Sequence, residues 1–323
     1  MLPARVTIWA LMETAKSEKT AVPHEPLCAV VAIVGRTNSG KSTLLNHIMG
    51  EKISIVSPVV QTTRNVIRGV FTEPQGQLVF MDTPGLHKSE NVFGTMMNRL
   101  ARQAAEGVDI ILMVADGSHP PQMEDEGWLR RLLNVGQPCV VFLNQNDKQP
   151  FYGADYKALW ERLQSETGKS RQVPWIDGSA ISGVGTDILV AELFKLAKPH
   201  PDFLFPPEIA TDFPRKLAIA DVIREKLLEK LHQELPHEVA VLVENIVEQP
   251  DGWQVNVAVL VNRHGQKQIV IGHKGRTLRF VKRKAEPELS EIFEVPVKLD
   301  LWVKIEKNWM KNFWILRQLG IVG

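Results

Sequence analysis

The sequence predicts an α/β domain, with a mostly parallel sheet and helices on both faces, followed by a small α+β unit. Short apolar, β-branched runs alternate with helix-compatible stretches through the first two thirds of the chain, a proline-rich passage then breaks the pattern, and beyond it the element order changes. The runs are Val30 to Val34, Leu78 to Met81, Ile110 to Ala115, Cys139 to Leu143 and Val173 to Ile176. The stretches expected as helices are Thr43 to Met49, Phe93 to Glu106, Glu124 to Asn134, Asp155 to Thr167 and Asp187 to Leu196. Lys198-Pro199-His200-Pro201-Asp202-Phe203-Leu204-Phe205-Pro206-Pro207 continues neither a helix nor a central strand. Residues 199–214 are therefore read as a linker between a first domain over 28–198 and a second over 215–323. The second unit reads as a helix (Lys216 to Glu234), two strands (Val239 to Glu248 and Trp253 to Asn262) joined by Pro250-Asp251-Gly252, a helix, a strand (Val297 to Ile305) and a last helix.

The chain has 323 residues, 44% apolar and 23% charged, an ordinary globular composition that argues against disorder. Its two cysteines, Cys28 and Cys139, both sit in apolar runs and read as buried thiols in a reducing compartment. No apolar stretch reaches the roughly 18 residues of a spanning helix. Residues 1–27 are expected to form a flexible N-terminal extension: its apolar piece, Val6 to Met12, followed by mixed charges, makes a poor targeting signal, and Met12 is an alternative start. The nine histidines show no metal-site spacing, so surface or structural roles are expected. The net charge of +1 hides an asymmetry: residues 1–214 hold 20 basic and 23 acidic side chains, residues 215–323 hold 18 and 14. Arg263 to Lys284 carries eight basic residues and no carboxylate, which points to a polyanion partner.

Five segments of the first unit carry chemistry. Gly35-Arg36-Thr37-Asn38-Ser39-Gly40-Lys41-Ser42 fits GxxxxGK[ST] between a strand and a helix, the context of a phosphate-binding loop and hence of a P-loop NTPase fold. In such a loop backbone amides cradle phosphates, Lys41 reaches their oxygens and the Ser42 hydroxyl holds Mg²⁺. Asp82-Thr83-Pro84-Gly85 closes the next strand; Asp82 is placed to hold the Mg²⁺ shell and the Gly85 amide to meet a γ-phosphate. In Gln61-Thr62-Thr63-Arg64 between them, either threonine, with Thr63 preferred, completes Mg²⁺ coordination only when the γ-phosphate is present. Asn144-Gln145-Asn146-Asp147 and Ser179-Ala180 follow later strands. Asp147 is placed to read guanine, and the Ser179-Ala180 segment to offer amides to its O6 edge.

In the second unit, Gly272-His273-Lys274-Gly275 is a GxxG loop between a strand-like apolar piece, Ile269 to Ile271, and a helix that begins near Arg276. With the basic residues around it this is the signature of a KH domain, which grips about four single-stranded nucleotides. Lys267, Lys274, Arg276 and Arg279 are expected at phosphates, with Ile271 and Leu278 in the base groove beside Gly272, His273 and Gly275. Trp302, Trp309 and Trp314 are expected to pack the core.

Taken in order, these segments resemble the Era family of Ras-like GTPases over about residues 28 to 320. The resemblance implies a G domain followed by a type II KH domain, and a GTPase with GTP/GDP and Mg²⁺ as ligands. It implies binding to RNA near the 3′ end of small-subunit rRNA and action in small ribosomal subunit maturation. It further implies a cytoplasmic monomer, with peripheral contact at the inner face of the membrane known in the family. Lys41, Thr63 and Gly85 are the catalytic candidates. Where the family has Lys this chain has Gln145, which is shorter and uncharged, so weaker nucleotide affinity is expected with guanine preference kept by Asn144 and Asp147. Leu86 stands where fast Ras-like enzymes place a water-orienting glutamine, so hydrolysis is expected to be slow and K⁺-stimulated, with Asn38 holding the K⁺. The alternative is an RNA-binding assembly scaffold with impaired nucleotide chemistry.

Overall fold

The computed structural model describes residues 25–56, 67–83, 107–231 and 235–321. The helix expected over Phe93 to Glu106 lies outside them. The first domain begins with β1 (Leu27–Val34), so Leu27 of the expected extension already belongs to the sheet. The other elements are α1 (Lys41–Met49), β2 (Ile67–Glu73), β3 (Gly76–Asp82), β4 (Ile110–Asp116), α2 (Met123–Leu132), β5 (Cys139–Asn144), α3 (Gly153–Thr167), β6 (Trp175–Asp177), α4 (Thr186–Leu196) and β7 (Lys198–Pro199). The sheet runs β2-β3-β1-β4-β5-β6, parallel from β3 to β6, with β2 antiparallel to β3 at the edge.

Alternation along β1 separates two cores. Ala29, Val31 and Ile33 pack with Leu44, Leu45, Leu189 and Leu193 of α1 and α4, while Ala32 and Val34 pack with Trp128, Leu129, Tyr156 and Trp160 of α2 and α3. Burial on both faces makes every central strand apolar throughout, which is why these strands were legible as continuous runs. β2 was not anticipated, because Gly69 interrupts its run. A Cβ there would lie 2.9 Å from Leu45 Cδ1, so a side chain would push the end of Leu45 aside.

The segment 199–214 is strapped to the first domain. β7 pairs antiparallel with Leu27 and Cys28, Val70 N donates to Ala210 O at 2.8 Å, and the Gln77 side chain clamps both the N–H and the C=O of Phe205. Arg68 pairs with Asp212, and Thr211 bridges Gly69, so the strap covers the edge of β2.

The second domain holds α5 (Arg215–Leu228), a turn of helix α6 (Leu235–Glu238), β8 (Ala240–Gln249), β9 (Gly252–Val261), α7 (His264–Ile271), α8 (Arg276–Phe293), β10 (Val297–Ile305) and α9 (Phe313–Gln318). The three-stranded sheet has the order β10-β9-β8, with β10 parallel and β8 antiparallel to β9. Helices α5 and α8 cover one face through Ile219, Ile223, Val281, Ala285 and Leu289. The C-terminal segment covers the other through Trp309, Leu316, Leu319 and Ile321. Trp309 is fully buried and its indole N–H donates to Glu238 O at 2.9 Å, as a core tryptophan requires. Trp314 corrects the expectation for that residue: it is 69% exposed, edge-on to Phe313 at 5.6 Å, because α9 is one short helix whose Leu316 alone is buried.

The two domains meet through the segment that follows α1. Lys52 Nζ lies 2.7 Å from Glu225 Oε2 of α5 and 2.5 Å from Glu288 Oε1 of α8, and Lys226 joins the cluster at 2.6 Å from Glu288 Oε2. Val56 N donates to Glu225 Oε2 at 3.1 Å.

Candidate nucleotide site and nucleic-acid interface

β1 delivers the phosphate loop at the carboxyl end of the sheet, where α/β proteins bind ligands. Two glycines are dictated by close approach. A Cβ on Gly35 would lie 2.2 Å from Val114 O, and one on Gly40, at φ +96°, would lie 2.1 Å from Asn144 Nδ2. Gly40 then caps α1, whose first residues are Lys41 and Ser42, so the positive helix end faces the loop.

Lys41 is buried and folds back onto the loop, its Nζ bonded to Arg36 O at 2.7 Å and Gly35 O at 3.3 Å. Burial pulls its pKa down to about 8, with Asp82 opposing the shift. Asp82 is fully buried at the end of β3. Burial raises its pKa, against hydrogen bonds from Ser42 and the nearby charge of Lys41. Ser42 Oγ donates to Asp82 Oδ2 at 2.6 Å and Ser54 Oγ donates to the same oxygen at 2.9 Å. Asp82 Oδ1 is buried without a hydrogen-bond partner. An orphan carboxylate oxygen beside a hydroxyl and a lysine fits a hard cation with phosphate oxygens, so the residues present suit Mg²⁺. Ser39 Oγ is a second buried atom without a partner in the same loop. Thr83 is buried with its hydroxyl on Ile33 O, a structural tie between β3 and β1. Asn38 is exposed in the left-handed region at φ +61°, and Thr37 is half-buried beside it. Thr63, Pro84, Gly85 and Leu86 lie outside the described residues.

On the base side, the buried Asn144 ties the loops together: Nδ2 donates to Ser39 O at 2.8 Å and Oδ1 accepts from Ala180 N at 2.8 Å. Gln145 turns the chain at φ +66°, Asn146 N bonds to Gly178 O, and Asp147 is left exposed. Ser179 N donates to Val184 O and Ala180 N to Asn144 Oδ1. Gln145 Oε1 accepts from Lys148 Nζ at 2.5 Å, a neighbouring cation that reading the motif alone did not bring in.

Two contacts were missed by sequence reasoning. Asn46 Oδ1 accepts from Ile53 N and Ser54 N, and its Nδ2 donates to Ser54 O, which fixes the segment after α1 so that Ser54 faces Asp82 and Lys52 faces the second domain. The Arg36 guanidinium lies 3.6 Å from both Asp116 and Asp125. The Arg36 contacts have no local signal because their partners are far apart in sequence, and no residue pattern marks the pairing of Asn46 with Ser54 although the two are close along the chain.

In the second domain the GxxG loop is an elbow between two helices. Ile269 to Ile271 form the last turn of α7, which corrects the strand-like reading; three β-branched residues are too short a run to separate the two. Gly272 (φ +73°) ends α7 and Gly275 (φ +76°) caps α8, and a Cβ on Gly272 would lie 2.3 Å from Thr277 Oγ1. Lys274 takes φ +50° and its carbonyl accepts from Arg279 Nη1 at 2.6 Å, which holds the loop open with His273 and Lys274 exposed. The first turn of α8 has no acid, so its N-terminus favours an anion. Arg276 and Arg279 line a mostly basic cleft with Lys230, Lys282 and Arg283, which Phe280 and Glu286 also line. Lys267 is half-buried on α7, while Ile271 and Leu278 pack partly against the core and Ile269 is the exposed apolar side chain beside the loop.

Comparison with known proteins agrees with this architecture. The family model described as 50S ribosome-binding GTPase matches residues 30–145, and the KH domain model matches residues 234–310. GTPase Era of Rippkaea orientalis is 37% identical over 90% of this chain and 91% of its own length, and GTPase Era of Halothermothrix orenii is 34% identical over 91% and 98%. A solved structure of Era in complex with MgGDPNP and nucleotides 1506-1542 of 16S ribosomal RNA is 32% identical, with TM-score 0.83 over 92% of this chain and 100% of that one. With a P-loop domain and a KH domain in the same order, and identity above 30% over nine tenths of its length, the chain belongs to the Era family of GTPases.

Proposed function

We propose that the chain is a guanine-nucleotide switch that binds the 3′ region of small-subunit rRNA through its KH domain and assists maturation of the small ribosomal subunit. The observation that carries this reading is the segment Lys52 to Val56. Ser54 bonds to Asp82 in the nucleotide site, while Lys52 and Val56 bond to Glu225 of the RNA-binding domain. A change at Asp82 on loading therefore has a short path to α5, two non-covalent contacts joined by the chain from Lys52 to Val56.

In this reading Ser42, Asp82 and Thr63 hold Mg²⁺, which neutralises charge on the phosphate oxygens. Lys41, still held by Arg36 O, adds its own charge there with its remaining donors, and the Gly85 amide meets the γ-phosphate. Asp147 reads guanine. Hydrolysis is slow because Leu86 orients no water, and Asn38 holds a stimulating K⁺. The RNA backbone lies against the elbow of Gly272 to Gly275, held by His273, Lys267, Lys274, Arg276 and Arg279, with Ile271 beside the bases. The protein acts as a cytoplasmic monomer. The apolar stripe of α8 is packed into the core through Val281, Ala285 and Leu289.

Radiolabelled GTP turnover with and without the 3′ rRNA fragment tests this, in K⁺ and in Na⁺ at matched ionic strength. Slow turnover that rises with K⁺ and responds to RNA is expected. No turnover despite tight RNA binding would favour the scaffold reading, which Gln145 motivates.

A further inference from the structure

The Arg36 side chain is turned onto carboxylates of the protein, an unusual use of a cation in a loop built for anions. Its Nη2 lies 3.6 Å from Asp116 Oδ2, its Nε 3.6 Å from Asp125 Oδ2, and its Nη1 donates to Gln122 Oε1 at 3.2 Å. Asp125 has no exposed surface. Its Oδ2 accepts from Gln122 N at 3.0 Å, closing the capping box of α2, and from the Tyr156 hydroxyl of α3 at 3.1 Å. Both Arg36 Nε and Asp125 Oδ1 are buried without a hydrogen-bond partner. Two desolvated, opposite charges that are each incompletely paired hold one another strongly, because separating them strands a buried charge. Meanwhile the carbonyl of Arg36 is the acceptor for Lys41 Nζ.

We infer that Arg36 is a positioning residue: its side chain anchors the phosphate loop to Asp125 and Asp116, and its backbone thereby sets where Lys41 stands. The anchor extends through Asp125 to Tyr156, so the helix pair α2 and α3 helps to fix the loop. This goes beyond a role of Arg36 as one more amide in the cradle. A phosphate contact would need the guanidinium on the open side of the loop, whereas it is directed at two carboxylates.

The test uses the full chain and a fluorescent GDP and GTP pair, with dissociation rates and saturating turnover measured for Arg36→Ala, Arg36→Lys, Asp125→Asn, Tyr156→Phe and the double variant Arg36→Ala/Asp125→Asn. The expected result is a roughly tenfold or greater rise in the dissociation rate of both nucleotides for Arg36→Ala. Partial rescue is expected in Arg36→Lys, a smaller loss of the same kind in Asp125→Asn, and a double variant no worse than Arg36→Ala. Turnover at saturation should fall as well as affinity, because Lys41 is displaced rather than merely unbound. Tyr156→Phe, which removes only a hydroxyl, keeps the test open if Asp125→Asn folds poorly; it should raise dissociation by a few-fold. Unchanged dissociation in Arg36→Ala would overturn the inference. So would losses that multiply in the double variant, since Arg36 and Asp125 would then act independently.

Discussion

Lys52 of the nucleotide-binding domain and Glu225 of the RNA-binding domain meet with Nζ 2.7 Å from Oε2. Glu288 and Lys226 complete a four-charge cluster, and Ser54, two residues along from Lys52, donates to Asp82. An ion pair with one side chain about a third exposed is worth little to overall stability, about 1 kcal/mol. Its value here is positional, because it fixes which face of α5 the segment Lys52 to Val56 touches.

Lys52→Ala is therefore expected to leave the GDP affinity and the isolated RNA affinity within about two-fold while weakening their coupling. A double-mutant cycle with Glu225→Gln, read by the change in RNA affinity on nucleotide loading, should return an interaction of about 1 kcal/mol. A coupling of zero would detach this contact from signalling.

The same cluster makes the domain contact sensitive to acid. Burial alone raises the Glu288 carboxyl, but hydrogen bonds from Lys226 and Lys52 and their charges outweigh it, leaving the pKa below its ordinary value of 4.5. A depressed carboxylate contributes stability that is fully present above that ordinary value and is lost as pH falls through the lowered one. Urea unfolding across the acid range should show a loss of stability in the wild type that Glu288→Gln lacks over that window. Parallel pH profiles for the two proteins would contradict this.

Lys41→Ala should reduce GTP and GDP affinity by about 100-fold, since a charged hydrogen-bond donor to phosphate is lost from a buried position. Equilibrium binding with a fluorescent nucleotide measures it, and RNA binding by the same variant serves as the control for folding. Unchanged nucleotide affinity would remove Lys41 from the site.

Replacing His273 and Lys274 together by Asp should lower RNA affinity at least tenfold and flatten its salt dependence by about one unit of log–log slope. Basal GTP hydrolysis should stay as it was. Filter binding over a salt series reports both, and a preserved slope would place the phosphates elsewhere.

Much of this was readable from residues alone. The parallel strands were legible because each is apolar on both faces, and the phosphate loop and GxxG elbow because glycine is forced at Gly35, Gly40 and Gly272 by close backbone or side-chain approach. Other features were not. β2 hides behind Gly69, and the last turn of α7 imitates a strand with three β-branched residues. The commitments of the Ser179 and Ala180 amides depend on Val184 and Asn144, which only the fold brings near. Lys52, Glu225 and Glu288 are separated by 173 and 236 residues, and no local pattern announces a pairing over such distances. Long-range ion pairs are set by how two folded units dock, a property of surfaces rather than of motifs.

The most direct test is the affinity of the full chain for the 3′ rRNA fragment, measured in the GDP state and in the state loaded with a non-hydrolysable GTP analogue, for wild type and Lys52→Ala. The wild type should show different affinities in the two states, by at least about five-fold, and the difference should shrink in Lys52→Ala. Equal RNA affinity in both nucleotide states of the wild type would contradict it.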